Sequence, residues 1–118
     1  PAKPGDPIGS AGPTTSGRMD AYTPTMLAQG IKGMVGKGSR SPEVVEAMKK
    51  YGVTYFAAVG GAAALIAKSV KKYEVVGYPE LGPEAVAKLT VEDFPCIVVI
   101  DSEGNNFYEM GQKPYRRL

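Results

Sequence analysis

Histidine is absent from this chain, and cysteine occurs once, at Cys96. The first absence removes the commonest general base and the commonest metal ligand. The second excludes an intrachain disulfide. No metal ligands are therefore expected among its residues. Long hydrophobic runs are also missing: the longest, around Tyr55 to Ala67, is broken by Gly60-Gly61 and falls short of a membrane span. Nothing near the start resembles a signal peptide, which points to a cytoplasmic protein without a membrane partner. Charge of one sign is scarce too. With 14 Lys+Arg against 12 Asp+Glu, scattered rather than blocked, the net charge of +2 argues against nucleic acid as a partner. The chain begins at Pro1 without an initiator methionine, as a processed product or a fragment would.

What is present fits one globular domain over residues 1–118, long enough to bury about two-thirds of its unfolded surface. Fifteen glycines and ten prolines imply many turns between short α and β elements. Residues 1–10 read as an irregular lead-in. The spacing of Tyr22, Met26 and Leu27 predicts a helix over 19–29 with Pro24 in its first turn and Gly30 as C-cap, then a short strand over 31–38. Ser41-Pro42 starts a second helix, with Val44, Val45, Met48 and Tyr51 on one face and Gly52 at its end.

The uncharged, β-branched and aromatic segment 53–59 predicts a strand buried on both faces. Gly60-Gly61 then leads into an alanine-rich helix over 62–70; this junction suits an anion at the helix N-terminus or close helix–strand packing equally well. Lys68, Lys71 and Lys72 read as a solvated helix end. Further expectations are a strand over 73–77, a short helix over 84–89, and an apolar strand over 94–101 that buries the Cys96 thiol. A turn at 102–105 then leads to an antiparallel return over 106–110, and 111–118 reads as a tail.

One stretch concentrates polar chemistry: Gly12-Pro13-Thr14-Thr15-Ser16-Gly17-Arg18-Met19-Asp20. Three consecutive hydroxyls lie between a Gly-Pro turn and a Gly-Arg step, so hydroxyls, backbone N–H groups and a guanidinium can converge on one anion. The same letters also suit a polar loop that caps a helix. Lys37 stands between two glycines at a predicted strand end, where another group can approach closely.

From Ile8 to about Phe107, the order GPTTSGRMD, GKGSRS, an apolar strand running into GGAAALIA, YPELG, VEDFP, an apolar strand and D-x-x-GN-x-F resembles the C-terminal or β-subunit domain of class I, iron–sulfur-dependent fumarases. The β subunits of tartrate dehydratases are close behind. The resemblance implies an α/β fold of the swivelling β/β/α type; members carry a further segment with another arginine ahead of the GPTT motif, where this sequence has only the irregular lead-in, so either the chain is N-terminally truncated or that segment is missing from view. The interval between Arg18 and Lys37 is also about one residue shorter than in the family pattern.

As function, the resemblance implies the β subunit of a hydro-lyase interconverting fumarate and malate. The runner-up enzyme is a tartrate dehydratase β subunit, and the rival from another class is a non-catalytic organic-anion-binding module. A dicarboxylate needs cationic anchors, and the resemblance gives substrate binding to Arg18 and Lys37. Arg18 can hold a carboxylate bidentately, whereas Lys37 offers a point charge. Thr14 matches the residue proposed in the family as the proton-abstracting base, with Thr15 and Ser16 beside it as substrate contacts. A free alkyl hydroxyl is a poor base, so Thr14 either acts when ionised or polarised by its surroundings, or only hydrogen-bonds the substrate or its own loop. The implied Lewis acid is a 4Fe–4S cluster carried by three cysteines of an α-subunit partner. With one cysteine, this chain is expected to leave the cluster to that partner.

Overall fold

The computed structural model describes residues 2–58 and 62–115, which divide into two compact units, Pro13–Val59 with Cys96–Leu118 and Pro1–Gly12 with Gly60–Pro95. In the first unit a single 3₁₀ turn, Ser16–Met19, precedes helix α1, Thr23–Ala28, so the predicted helix over 19–29 is interrupted and Pro24 sits in the first turn of its second part. Gly30 follows at φ 109, the left-handed conformation that a glycine adopts without strain. Strand β1, Gly33–Gly36, and strand β2, Thr54–Ala58, pair in parallel, with helix α2, Pro42–Tyr51, as the crossover between them.

Local signals account for α2. The Ser41 hydroxyl accepts from the Val44 N–H at 3.3 Å, Pro42 occupies the first turn, and Gly52 ends the helix at φ 68. Val44, Ala47 and Met48 turn inward with Leu27 of α1, and meet Val53, Tyr55, Val99 and Ile100 in one core. Strand β5, Cys96–Ile100, runs antiparallel to β2 and completes a three-stranded sheet of order β1-β2-β5.

In the second unit, helix α3, Ala63–Ser69, runs into a hairpin of β3, Val70–Gly77, and β4, Val86–Val91. Two 3₁₀ turns across Pro79–Glu84 connect the strands. The mixed α/β class is as expected.

Six readings need correction or fall outside. The helix expected over 84–89 is strand β4: Pro83-Glu84 imitates a helix start, but 86–91 pair along β3. The return over 106–110 is a short helix, α4, Phe107–Met110, capped by Asn106, whose Oδ1 accepts from the Tyr108 N–H at 3.0 Å; only the Ile100–Asn106 bridge remains of the expected ladder. Cys96 is exposed rather than buried, at the start of a strand whose first three residues are all exposed. Strand β2 buries Tyr55 and Ala58 while its other residues are half-buried, so it is covered in part rather than buried throughout. Lys71 and Lys72 belong to β3 and only Lys68 to the last turn of α3. Gly60-Gly61, the junction considered for an anion, lies outside the described residues.

Candidate functional site

All five residues singled out from the sequence fall in the first unit, on two segments that touch. Thr15 and Lys37 form an isolated parallel bridge, and the Ser16 N–H donates to the Lys37 carbonyl at 3.0 Å. Bridged residues lie side by side, and successive residues of an extended chain face opposite ways. Thr15 and Lys37 are accordingly both exposed, whereas Ser16 points inward and is buried. Thr14 is exposed on the approach to the bridge, and Arg18 is exposed within the 3₁₀ turn that follows it.

Among the described residues, the side chains of Thr14, Thr15, Arg18 and Lys37 make no hydrogen bond or ion pair. The capping reading of the stretch is not realised, because Thr15 makes no side-chain cap bond to the turn. The arrangement presents two hydroxyls, a guanidinium and an ammonium to solvent, with no competing partner among the described residues. It suits an anion with more than one acceptor group.

Ser16 is placed differently from its neighbours. Its hydroxyl meets the Tyr55 hydroxyl at 2.9 Å, and the Tyr55 hydroxyl meets the Gly38 carbonyl at 3.0 Å. Since the carbonyl can only accept and the phenol has one proton, Tyr55 donates to Gly38 and Ser16 donates to Tyr55. Burial pushes the Tyr55 phenol above its usual pKa despite the Ser16 hydrogen bond. Gly36 lies against this pair, and a Cβ there would collide with Ser16 Oγ.

Residues that sequence reasoning passed over form the layer beneath. The Arg40 Nε donates to Asp20 Oδ1 at 2.7 Å, its Nη2 donates to Thr23 Oγ1 at 2.9 Å, and its Nη1 lies 3.5 Å from Met34 Sδ. The guanidinium also stands 5.1 Å from the Tyr55 ring centroid, within cation–π range. Asp20 Oδ2 accepts from the Ser41 N–H at 2.8 Å, which ties the end of GPTTSGRMD to the start of α2. Tyr108 accepts from the Gly38 N–H at 3.1 Å. Arg40 and Asp20 both stand inside the quoted motifs, so the motifs themselves were the available signal. Tyr55 and Tyr108 carried none, being joined to this site only by the fold.

Among the described residues no group of three or more His, Cys, Asp and Glu could hold a metal ion, and none of the helices is long and apolar enough to cross a membrane.

A family model described as fumarase C-terminus matches residues 1–111. The aerobic class I fumarate hydratase of Escherichia coli K12 is 49% identical over 106 residues, covering 88% of this chain and 19% of that protein. Fumarate hydratase 2 of Leishmania major is 47% identical over 102 residues, covering 85% of this chain and 18% of that protein. A protein named as a candidate L(+)-tartrate dehydratase subunit beta from Methanocaldococcus jannaschii is 46% identical over 114 residues, covering 92% of this chain and 58% of that protein. The chain thus spans about a fifth of the fumarate hydratases it matches.

Proposed function

The chain belongs to the fumarase C-terminus family, and from that premise we propose that it supplies the substrate-anchoring part of a hydro-lyase that reversibly hydrates fumarate to malate. The observation that carries this reading is the Thr15–Lys37 bridge, which sets an exposed hydroxyl beside an exposed ammonium next to the turn bearing Arg18. Arg18 takes one carboxylate through its two parallel N–H donors, and Lys37 takes the other as a point charge. Each charge-assisted bond is worth roughly 1.5–3 kcal/mol. Once ionised to the alkoxide in this cationic surrounding, Thr14 Oγ1 takes the proton from the carbon beside a carboxylate when malate loses water, becoming the neutral hydroxyl, and returns that proton on hydration. Thr15 hydrogen-bonds the anchored carboxylate. Ser16 contributes from beneath, because its hydroxyl is already engaged with Tyr55.

An iron–sulfur cluster, which the family resemblance implies, would supply Lewis-acid chemistry when bound. Such clusters need several thiolates, and Cys96 is the only cysteine here, so this chain does not fit as the cluster's holder. The cluster belongs to an α-subunit partner, a view supported by the subunit beta named among the relatives. The same reading expects a cytoplasmic assembly. A tartrate dehydratase is the second reading, favoured by the greater share of the Methanocaldococcus protein that this chain spans.

Anaerobic assembly of the full-length protein with its cluster-bearing partner tests both. Fumarate loss is expected from the assembly and not from the isolated chain. Arg18→Ala should raise KM about tenfold to a hundredfold, the loss of one charge-assisted contact. Thr14→Ala should lower kcat by about 10² or more, with partial recovery in Thr14→Ser. Turnover of tartrate alone moves the assignment to the second reading. Turnover of neither, with an intact cluster, leaves a binding module.

A further inference from the structure

The peptide group between Lys37 and Gly38 is gripped at both of its polar atoms. Its carbonyl, on Lys37, accepts from the Ser16 N–H at 3.0 Å, and its N–H, on Gly38, donates to the Tyr108 hydroxyl at 3.1 Å. The following carbonyl, on Gly38, accepts from the Tyr55 hydroxyl at 3.0 Å. Gly38 adopts φ 87 with nothing within 4 Å of a Cβ placed on it, so conformation rather than space requires glycine there. Three separate elements, the Ser16 turn, β2 and α4, therefore converge on one bend of the main chain. No partner among the described residues holds the Lys37 side chain, so the backbone, gripped at this bend, sets the starting point of its long stem.

Both tyrosines are themselves braced. Tyr55 is fully buried, beneath the Arg40 guanidinium and in contact with Ser16. Tyr108 stands on α4, whose cap is the buried Asn106. Asp101 shapes the turn before that cap by accepting from the backbone N–H groups of Glu103 and Asn105 and from the Asn105 side chain.

We propose that Tyr108 and Tyr55 are positioning residues for substrate binding: their hydroxyls fix the Lys37–Gly38 backbone and thereby aim the Lys37 ammonium at a substrate carboxylate. This rests on the reading that Lys37 binds the dicarboxylate. Neither tyrosine touches substrate, so each acts only through Lys37, and a double-mutant cycle exposes that dependence.

In the assembled enzyme, Tyr108→Phe should raise KM for fumarate about threefold to tenfold with kcat little changed, because a ground-state anchor is misplaced rather than lost. In the Lys37→Met background the same substitution should leave KM unaltered. Tyr55→Phe should behave alike, with thermal unfolding of each variant measured alongside to separate loss of fold from loss of aim. Equal effects of Tyr108→Phe with and without Lys37, or no change in KM while exchange of the Gly38 amide quickens, overturn the proposal. Should the assembled wild type turn over neither fumarate nor tartrate, the hydro-lyase reading falls, and the cycle is then read on malate binding to the full-length chain by amide NMR shifts. Binding weakened by Tyr108→Phe only when Lys37 is present upholds the positioning role. Binding that is absent, or indifferent to Lys37 or Tyr108, overturns it.

Discussion

The two units of this chain are stabilised in different ways. The unit that carries the candidate site packs Leu27, Val44, Met48, Val53, Tyr55 and Ile100 into one buried cluster, and its polar contacts join residues far apart in sequence, such as Arg40 with Asp20 and Gly38 with Tyr108. The hairpin unit buries Ile66, Ala67 and Val70, while Val75, Val76, Val86, Leu89 and Val91 of β3 and β4 are exposed. Its pairing is mainly that of neighbouring strands. The comparison teaches that the segments bearing the candidate site are held by a surrounding core and buried polar struts. A two-stranded ribbon supplies neither and is marginal by itself.

The largest effect that would break this comparison is expected at the Asp20–Arg40 pair. Arg40 is almost fully buried, and Asp20→Ala would leave its guanidinium without its anion while freeing the Ser41 N–H. Removing one partner of a buried pair costs about 3–5 kcal/mol. Urea unfolding followed by circular dichroism should show that loss. A change below about 1 kcal/mol would mean that water replaces the carboxylate, and that the struts beneath the site are not what holds it.

Next in size comes Gly36→Ala. A methyl group there collides with Ser16 Oγ, and even the Ser16 Cβ would stand only 3.3 Å from it. Overpacking of this kind costs about 1–3 kcal/mol and should push the Thr15–Lys37 bridge apart. Adding Ser16→Ala removes the hydroxyl and should recover part of the stability, because the remaining contact is tight rather than forbidden. If the single substitution is neutral in the same unfolding assay, the close approach of these segments is not maintained in solution.

Where the sequence was legible, the signal was local. Ser41, Pro42 and Gly52 bracket α2 by capping chemistry that needs no distant partner. The segment 86–91 was misread because Pro83-Glu84 imitates a helix start, while Val86, Lys88 and Thr90 alternate with Ala87, Leu89 and Val91 along a strand whose identity depends on β3. Cys96 was misjudged because an apolar run was equated with burial, whereas burial depends on what covers each face of a strand. At the candidate site, Arg18, Lys37 and the three hydroxyls stand out by residue type and glycine flanks. Arg40, Tyr55 and Tyr108 do not, since their roles arise only when residues 17 to 70 positions apart are brought into contact.

The smallest expected effect sharpens the comparison from the other side. Leu89 is 40% exposed and lies opposite Tyr73 across the hairpin, itself 36% exposed. Leu89→Thr keeps a good strand former and removes apolar surface that folding has only partly withdrawn from water. Its cost should stay within about 0.5 kcal/mol, the usual range for surface positions away from caps, cores and buried polar groups. Amides of β3 and β4 should also exchange faster than those of β2, because few buried contacts oppose local opening of the hairpin. A loss above about 1.5 kcal/mol, or protection in the hairpin equal to that of β2, would show that the face bearing Leu89 is withdrawn from water in the folded protein. The contrast between a braced unit and an open ribbon would then no longer hold.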